Sequence, residues 1–295
     1  MKLSELADQL YRERPTQILY HYTSLSGLLG IVASKSMHAT EVHFFSDASE
    51  MMHTASLLQL AIARRSATDN FATRLFDQFQ KWFGGRLAAG NILCAACFSA
   101  DGNLLSQWRS YCEPAKGVSL GFSPDKLLTS AEQQSFTVGR CVYELATQTA
   151  LAAQILAAVE LRAREKGEVT DPSKRHPDNS FHDVFEELEP DLLRIAALLK
   201  NPAFREENEW RAVSPIITNY VTSPIRYREG SSMLIPYVDF ALPSAVDRRL
   251  DIERVYLGPT PHQNNSMTSV GWHLSQQGAS PRSGLVNCQI PYRSW

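Results

Sequence analysis

The chain has 295 residues, 44% of them hydrophobic and 20% charged, with a formal net charge of -2. That composition is ordinary for a folded globular protein and excludes a disordered or fibrous chain. The balanced charge also excludes a global basic field of the kind that binds nucleic acid.

Leu3, Leu6 and Leu10 stand at helical spacing and predict a first, amphipathic helix over residues 3–13. This segment has no apolar core of signal-peptide type. No later stretch approaches about eighteen apolar residues, so no membrane contact is expected. Gln17 to Tyr22 is β-prone and runs into Thr23-Ser24, a helix N-cap signal. Leu28, Leu29, Ile31 and Val32 then form the stripe of a helix over Leu25–Ser34. Met37 to Thr40 and Val42 to Phe45 read as short extended pieces. Ser46-Asp47-Ala48-Ser49-Glu50 has capping-box character and opens a predicted helix over 48–65. A second helix from Asn70 is expected to end at Gly84-Gly85.

Asn91 to Phe98 is a continuous apolar run, the signature of a buried central strand. A turn at Asp101-Gly102-Asn103 leads to a short helix carrying Trp108 and Tyr111. Gly117–Phe122 and Arg140–Leu145 read as strands. From Thr147 the period becomes helical, with helices over Leu151–Glu165 and Phe181–Lys200 joined by a polar, loop-like stretch over 167–179. Residues 147–200 therefore read as a helical insertion in a single α+β domain spanning 1–295. Strands resume at Glu207–Val213, Ile225–Tyr227, Met233–Phe240 and Ile252–Leu257. A helix over Asn264–Gln276 and a strand over Leu285–Ile290 follow.

Several familiar chemistries are missing. Neither a phosphate-binding glycine loop nor a Gly-x-Ser-x-Gly nucleophile elbow is present. Cys94-Ala95-Ala96-Cys97 has the spacing of a metal half-site but lacks a second pair of ligands, so both cysteines are expected in the core and no metal is expected. The five cysteines are odd in number and scattered, and read as reduced thiols in a cytoplasmic protein.

Two features carry more chemistry. His21 ends a strand directly before a capped helix, where side chains and free backbone N–H groups meet at a pocket rim. In the strand Glu207–Val213, alternation places Glu207, Glu209 and Arg211 on one face. Such a face lines a polar cleft, or else blunts a sheet edge toward water. Trp108 and Tyr111 read as core residues or as the wall of a flat aromatic ligand's site.

Taken as an ordered set, Leu19-Tyr20-His21-Tyr22-Thr23-Ser24, Phe45-Ser46-Asp47-Ala48-Ser49-Glu50, Cys97-Phe98-Ser99, Trp108-Arg109-Ser110-Tyr111, Gly117 to Phe122 and Phe204-x-x-Glu207-x-Glu209-Trp210-Arg211 resemble a widespread, uncharacterised prokaryotic family, DUF2971. Tyr20 to Ser24, Phe44-Phe45-Ser46-Asp47 with the helix after it, and Glu207-Asn208-Glu209 are also similar, more distantly, to ADP-ribosyltransferase folds. That second resemblance implies a mixed β core with flanking helices and an NAD-consuming activity, either ADP-ribosyl transfer or NAD hydrolysis, suited to a toxin, an effector or phage defence. It implies that His21 hydrogen-bonds NAD and that Tyr22 or Phe45 stacks on nicotinamide. Glu209 would stabilise the oxocarbenium, and Glu207 would steer a macromolecular acceptor, protein or nucleic acid. Thr23, Ser99, Trp108, Tyr111 and Arg211 complete the implied NAD site. Phe44 and Phe45 stand where the fold family has a stacking Tyr, and Cys97-Phe98-Ser99 replaces its Ser-Thr-Ser. The rival expectation is a non-catalytic nucleotide- or nucleic-acid-binding module using the same cleft, and a third is a partner protein whose charged strand is only an edge.

Overall fold

The computed structural model describes residues 1–45, 50–65, 69–112, 117–171, 173, 176, 179–244 and 249–290. Helix α1 (Leu3–Leu10), strand β1 (Leu19–Ser24), helix α2 (Leu25–Ser34) and strand β2 (Ser36–Glu41) open the chain. Helices α3 (Glu50–Arg64) and α4 (Asn70–Ala89) precede strand β3 (Cys94–Ser99), and the short helix α5 (Leu105–Tyr111) precedes strand β4 (Gly117–Phe122). Next come α6 (Pro124–Gln133), β5 (Thr137–Arg140), α7 (Leu145–Lys166) and α8 (His182–Ala196). Strands β6 (Glu209–Val213), β7 (Arg226–Glu229), β8 (Leu234–Ala241) and β9 (Arg254–Leu257), helix α9 (Gln263–Gln276) and strand β10 (Leu285–Asn287) complete the sequence of elements.

The architecture is a mixed α/β one built on an open, mostly antiparallel sheet, with β9 and β10 as a parallel pair. The strand order is β10-β9-β4-β1-β3-β2-β8-β7, while β6 pairs with both β3 and β5. Strand β3 is the branch point. One edge pairs with β6 over five residues, from Ala95↔Val213 to Ser99↔Glu209. Its other edge is shared: β2 takes Cys94 and Ala95, and β1 takes only Ser99. Between these contacts β1 and β2 diverge, so Ala96, Cys97 and Phe98 face a gap in the sheet.

Alternation along β3 and β6 divides the core in two. Ala95 and Val213 face a helical layer of α1, α3, α4, α7 and α8, with Phe79, Phe185 and Val159 at its centre. Ala96, Phe98, Trp210 and Ala212 face the opposite core, closed by α2, α6 and α9. Glu209 and Arg211 share parity with Val213, and therefore lie on the side of the helical layer. The helices within 147–200 are part of that layer and pack on α1, α3 and α4.

Several local expectations are corrected. Val42–Phe44 is a 3-10 turn rather than extended, because the Glu41 carboxylate accepts the His43 backbone N–H at 2.9 Å. Helix α4 runs through Gly84 and Gly85. Neither position is crowded, each glycine costs only about 1 kcal/mol, and the burial of Phe76, Phe79 and Phe83 offsets that cost. The strand expected at Arg140–Leu145 is instead β5, ending at Arg140, with Val142 making a lone parallel bridge to Leu199. Helix α6 was not expected; Pro124 opens it, and Leu127 and Ala131 bury its inner face. The N-cap reading of Ser24 holds, since its hydroxyl accepts the Gly27 N–H at 3.1 Å. Of the capping box expected at 46–50, residues 46–49 lie outside the described residues.

Candidate functional site

The gap beside β3 opens into a pocket lined by residues of β1, β3 and α5 together with Glu207 and Glu209. His21 bridges the gap. Its Nδ1 lies 3.0 Å from the Cys97 carbonyl oxygen, which faces the edge that neither β1 nor β2 covers. A carbonyl only accepts, so Nδ1 carries the proton and Nε2 is the acceptor. Burial holds the His21 pKa below its ordinary 6.5, with a smaller opposing effect from the Cys97 bond. The ring is therefore neutral at pH 7.

Across the pocket lies a cluster of four charges. The Arg211 guanidinium grips Glu209 twice, Nε to Oε1 at 2.9 Å and Nη2 to Oε2 at 3.1 Å, and gives Nη1 to the Ala197 carbonyl at 2.7 Å. The Lys200 ammonium donates to Oε2 of Glu209 and, at 2.5 Å, to Oε2 of Glu207. Glu207 is not in the strand. It ends a 3-10 turn over Pro202–Glu207, and Asn208 adopts a left-handed conformation (φ 43°) before β6 begins. Both glutamates nevertheless reach the same ammonium. Burial alone raises the Glu209 carboxyl pKa, but Arg211 and Lys200 outweigh it and hold the group down at about 2. The Tyr143 hydroxyl accepts the Glu209 backbone N–H at 3.0 Å and fixes the start of the strand.

Of the residues expected at the site, His21, Tyr22, Ser99, Tyr111, Glu207 and Glu209 line the pocket. Arg211 stands behind Glu209, and Phe45 lies beneath it, its ring centroid 4.9 Å from the guanidinium. Phe45 packs against the helical core and is not among the residues that line the pocket. Trp108 is buried against Tyr22, with ring centroids 4.8 Å apart, and its indole N–H donates to Asn103 Oδ1 at 3.0 Å. Thr23 contributes a backbone oxygen to the Cys112 thiol. Tyr22 and Ser99 are engaged in holding the turn before α5. The Tyr22 hydroxyl donates to Asp101 O (2.8 Å) and accepts from Leu104 N (2.9 Å). Ser99 Oγ donates to Glu207 O (2.8 Å) and accepts from Asp101 N (3.1 Å).

Three residues of the site escaped the sequence reading: Gln107 and Cys97, which line the pocket, and Lys200, which holds Glu207 and Glu209. Lys200 follows an apolar run and reads as the end of a helix; no local signal marks its partners. Gln107 is hidden beside Trp108 on α5. Cys97 was expected in the core with Cys94. Cys94 is there, whereas Cys97 sits on the opposite strand face against Glu209. Burial first, and then the neighbouring carboxylate, push the Cys97 thiol well above its ordinary pKa, so it stays protonated. Among the described residues all five cysteines are free thiols, no group of three or more His, Cys, Asp or Glu side chains is placed to hold a metal ion, and no helix is long and apolar enough to cross a membrane.

The fold and the site together define a mixed α/β protein with a charged pocket at a divide in its sheet. A family model described as "Protein of unknown function (DUF2971)" matches residues 107–212, which supports the chain's placement in that family. The match runs from Gln107 on α5 to Ala212 in β6, and so takes in every pocket residue except those of β1 and β3. No curated protein and no solved structure gives a significant match.

Proposed function

We propose that the pocket is an NAD-cleaving site on an ADP-ribosyltransferase-like core, transferring ADP-ribose to a macromolecule or to water. The observation that carries this reading is the convergence of His21, Tyr111, Glu207 and Glu209 on one pocket, opened where β1 and β2 part from the same edge of β3. When nicotinamide leaves, positive charge develops on the ribose, and carboxylates fixed in a water-poor pocket stabilise that charge more than they stabilise the neutral ground state. Carboxylates meet the same demand in glycoside hydrolysis. Arg211 and Lys200 keep Glu209 ionised despite its burial.

A second reading rests on the charge balance. Two cations face two carboxylates, so the cluster is neutral as it stands, which favours a binding module over a site built to stabilise a cation. Nicotinamide release from NAD, with and without cell lysate, decides between them. The catalytic reading requires release by the native chain and loss of about a hundredfold or more in Glu209→Gln or Glu207→Gln. A folded native chain that binds NAD and releases nothing establishes the module instead. Stimulation by lysate identifies a macromolecular acceptor.

A further inference from the structure

Gln107 lines the pocket from α5 and is 6% exposed, yet its side-chain amide has no hydrogen-bond partner among the described residues. The amide atoms are not sealed in the core but open onto the pocket, where they are available to a ligand. Its neighbours sharpen the point. Among the described residues the Nε2 of the neutral His21 is an acceptor with no partner, and the hydroxyl of Tyr111, a side chain 43% exposed, has none either. By contrast, Lys200, Arg211, Glu207 and Glu209 are committed to one another, and the Tyr22 and Ser99 hydroxyls are committed to the turn before α5. What the pocket leaves open is therefore uncharged: two N–H donors and one carbonyl acceptor from Gln107, one acceptor from His21, and a phenol.

We propose that Gln107 is the specificity-determining contact of this pocket, pairing amide to amide with a primary carboxamide carried on a planar ring. One N–H of the ligand's carboxamide goes to Gln107 Oε1 and the other to His21 Nε2. The ligand's carbonyl oxygen accepts from Gln107 Nε2 or from Tyr111. A ring bearing a carboxylate offers acceptors alone, and would set its lone pairs against those of Gln107 Oε1 and His21 Nε2. This inference rests on the NAD reading above and names the part of the ligand that the pocket selects.

The test titrates nicotinamide and nicotinic acid separately into the native chain and into Gln107→Leu, followed by ligand-observed NMR, with melting temperature and NAD cleavage measured on the same samples. The native chain is expected to prefer nicotinamide by about tenfold or more. Gln107→Leu is expected to lose that preference and to melt close to the native temperature, because the amide it removes makes no hydrogen bond to the described residues. Equal binding of the two probes by the native chain, absence of nicotinamide binding, a preference that survives in Gln107→Leu, or a Gln107→Leu variant that melts well below native would each overturn the inference. NAD cleavage together with any of these leaves the catalytic reading standing without the Gln107 contact. Selective nicotinamide binding without cleavage leaves the contact standing and removes the catalysis.

Discussion

Arg211 and Glu209, two residues apart on β6, are joined by two parallel N–H···O contacts of 2.9 and 3.1 Å inside the protein. Same-face neighbours on a strand normally project side by side toward solvent or core. Here the guanidinium folds back on its own strand-mate, with Phe45 across its face and the end of α8 accepting its remaining edge. A bidentate pair of this kind is rigid, and it fixes the Glu209 carboxylate at the pocket wall before any ligand arrives.

Breaking the pair is expected to be costly. Glu209→Ala leaves Arg211 and Lys200 buried with one carboxylate fewer between them, and the loss should be about 3–5 kcal/mol. Glu207→Gln, at the more open end of the cluster, keeps a hydrogen-bond acceptor for Lys200 and should cost about 1 kcal/mol. Urea unfolding of the two variants measures the difference. Equal losses would mean that Glu209 is not the keystone of the cluster. The contrast also makes Glu207→Gln the cleaner variant for any activity measurement.

Acid should act on the fold in two windows. The His21 pKa is depressed in the folded chain, so the unfolded chain binds protons first as pH falls below 6.5, and stability declines from there. Burial also lowers the pKa of His38 and His182, which add to the same window. Glu209 acts lower. Its contribution is fully present above its ordinary value of 4.5 and is lost as pH falls toward its folded value of about 2. Urea midpoints across pH 8 to 2 trace both windows. His21→Gln should flatten part of the upper one, and a slope below pH 6.5 identical to native would refute the assignment to His21.

The turn that carries α5 tolerates no added atom. A Cβ on Gly102 would stand 2.6 Å from the Tyr20 ring and 2.7 Å from Tyr256. Both rings are walls of the small core that seats Trp108. Gly102→Ala should therefore cost about 1–3 kcal/mol through overpacking, and should weaken nicotinamide binding by moving Gln107 and Tyr111. A stable variant with native affinity would show that the turn yields without disturbing the helix.

Alternation and apolar runs made much of this molecule legible. The run Asn91–Phe98 marked the central strand, observed as Cys94–Ser99, the Thr23-Ser24 cap marked the start of α2, and the charged face of β6 read as either a cleft wall or a sheet edge. The rest depended on contacts across long stretches of chain. Glu207 reaches the site although Asn208 takes it out of the strand, a conformation that no local pattern announces. Lys200 and Gln107 looked like parts of helices because their partners lie on other elements. Cys97 reads as a core residue with Cys94, although their spacing of three places them on opposite strand faces, and on its own face Cys97 meets Glu209.

Lys200 ties the helical layer to the pocket. Its backbone N–H bonds to Val142 O at 3.1 Å, and its own carbonyl accepts from Gln148 Nε2 at 2.7 Å, a buried amide of α7 that is held in turn by His53. The ammonium is thus fixed from behind and delivered to Glu207 and Glu209 in front. Lys200→Met removes the charge while keeping most of the stem. Glu209 then retains Arg211 but loses its second cation, and two carboxylates face each other without the ammonium between them. Its titration is expected to move up from about 2 toward the ordinary carboxylate range. Carboxyl-carbon NMR of the native and Lys200→Met chains reads the shift directly, and the acid-unfolding midpoint should rise with it. A Glu209 titration unchanged by the substitution would mean that Arg211 alone sets its ionisation, and that the helical layer has no electrostatic hold on the site.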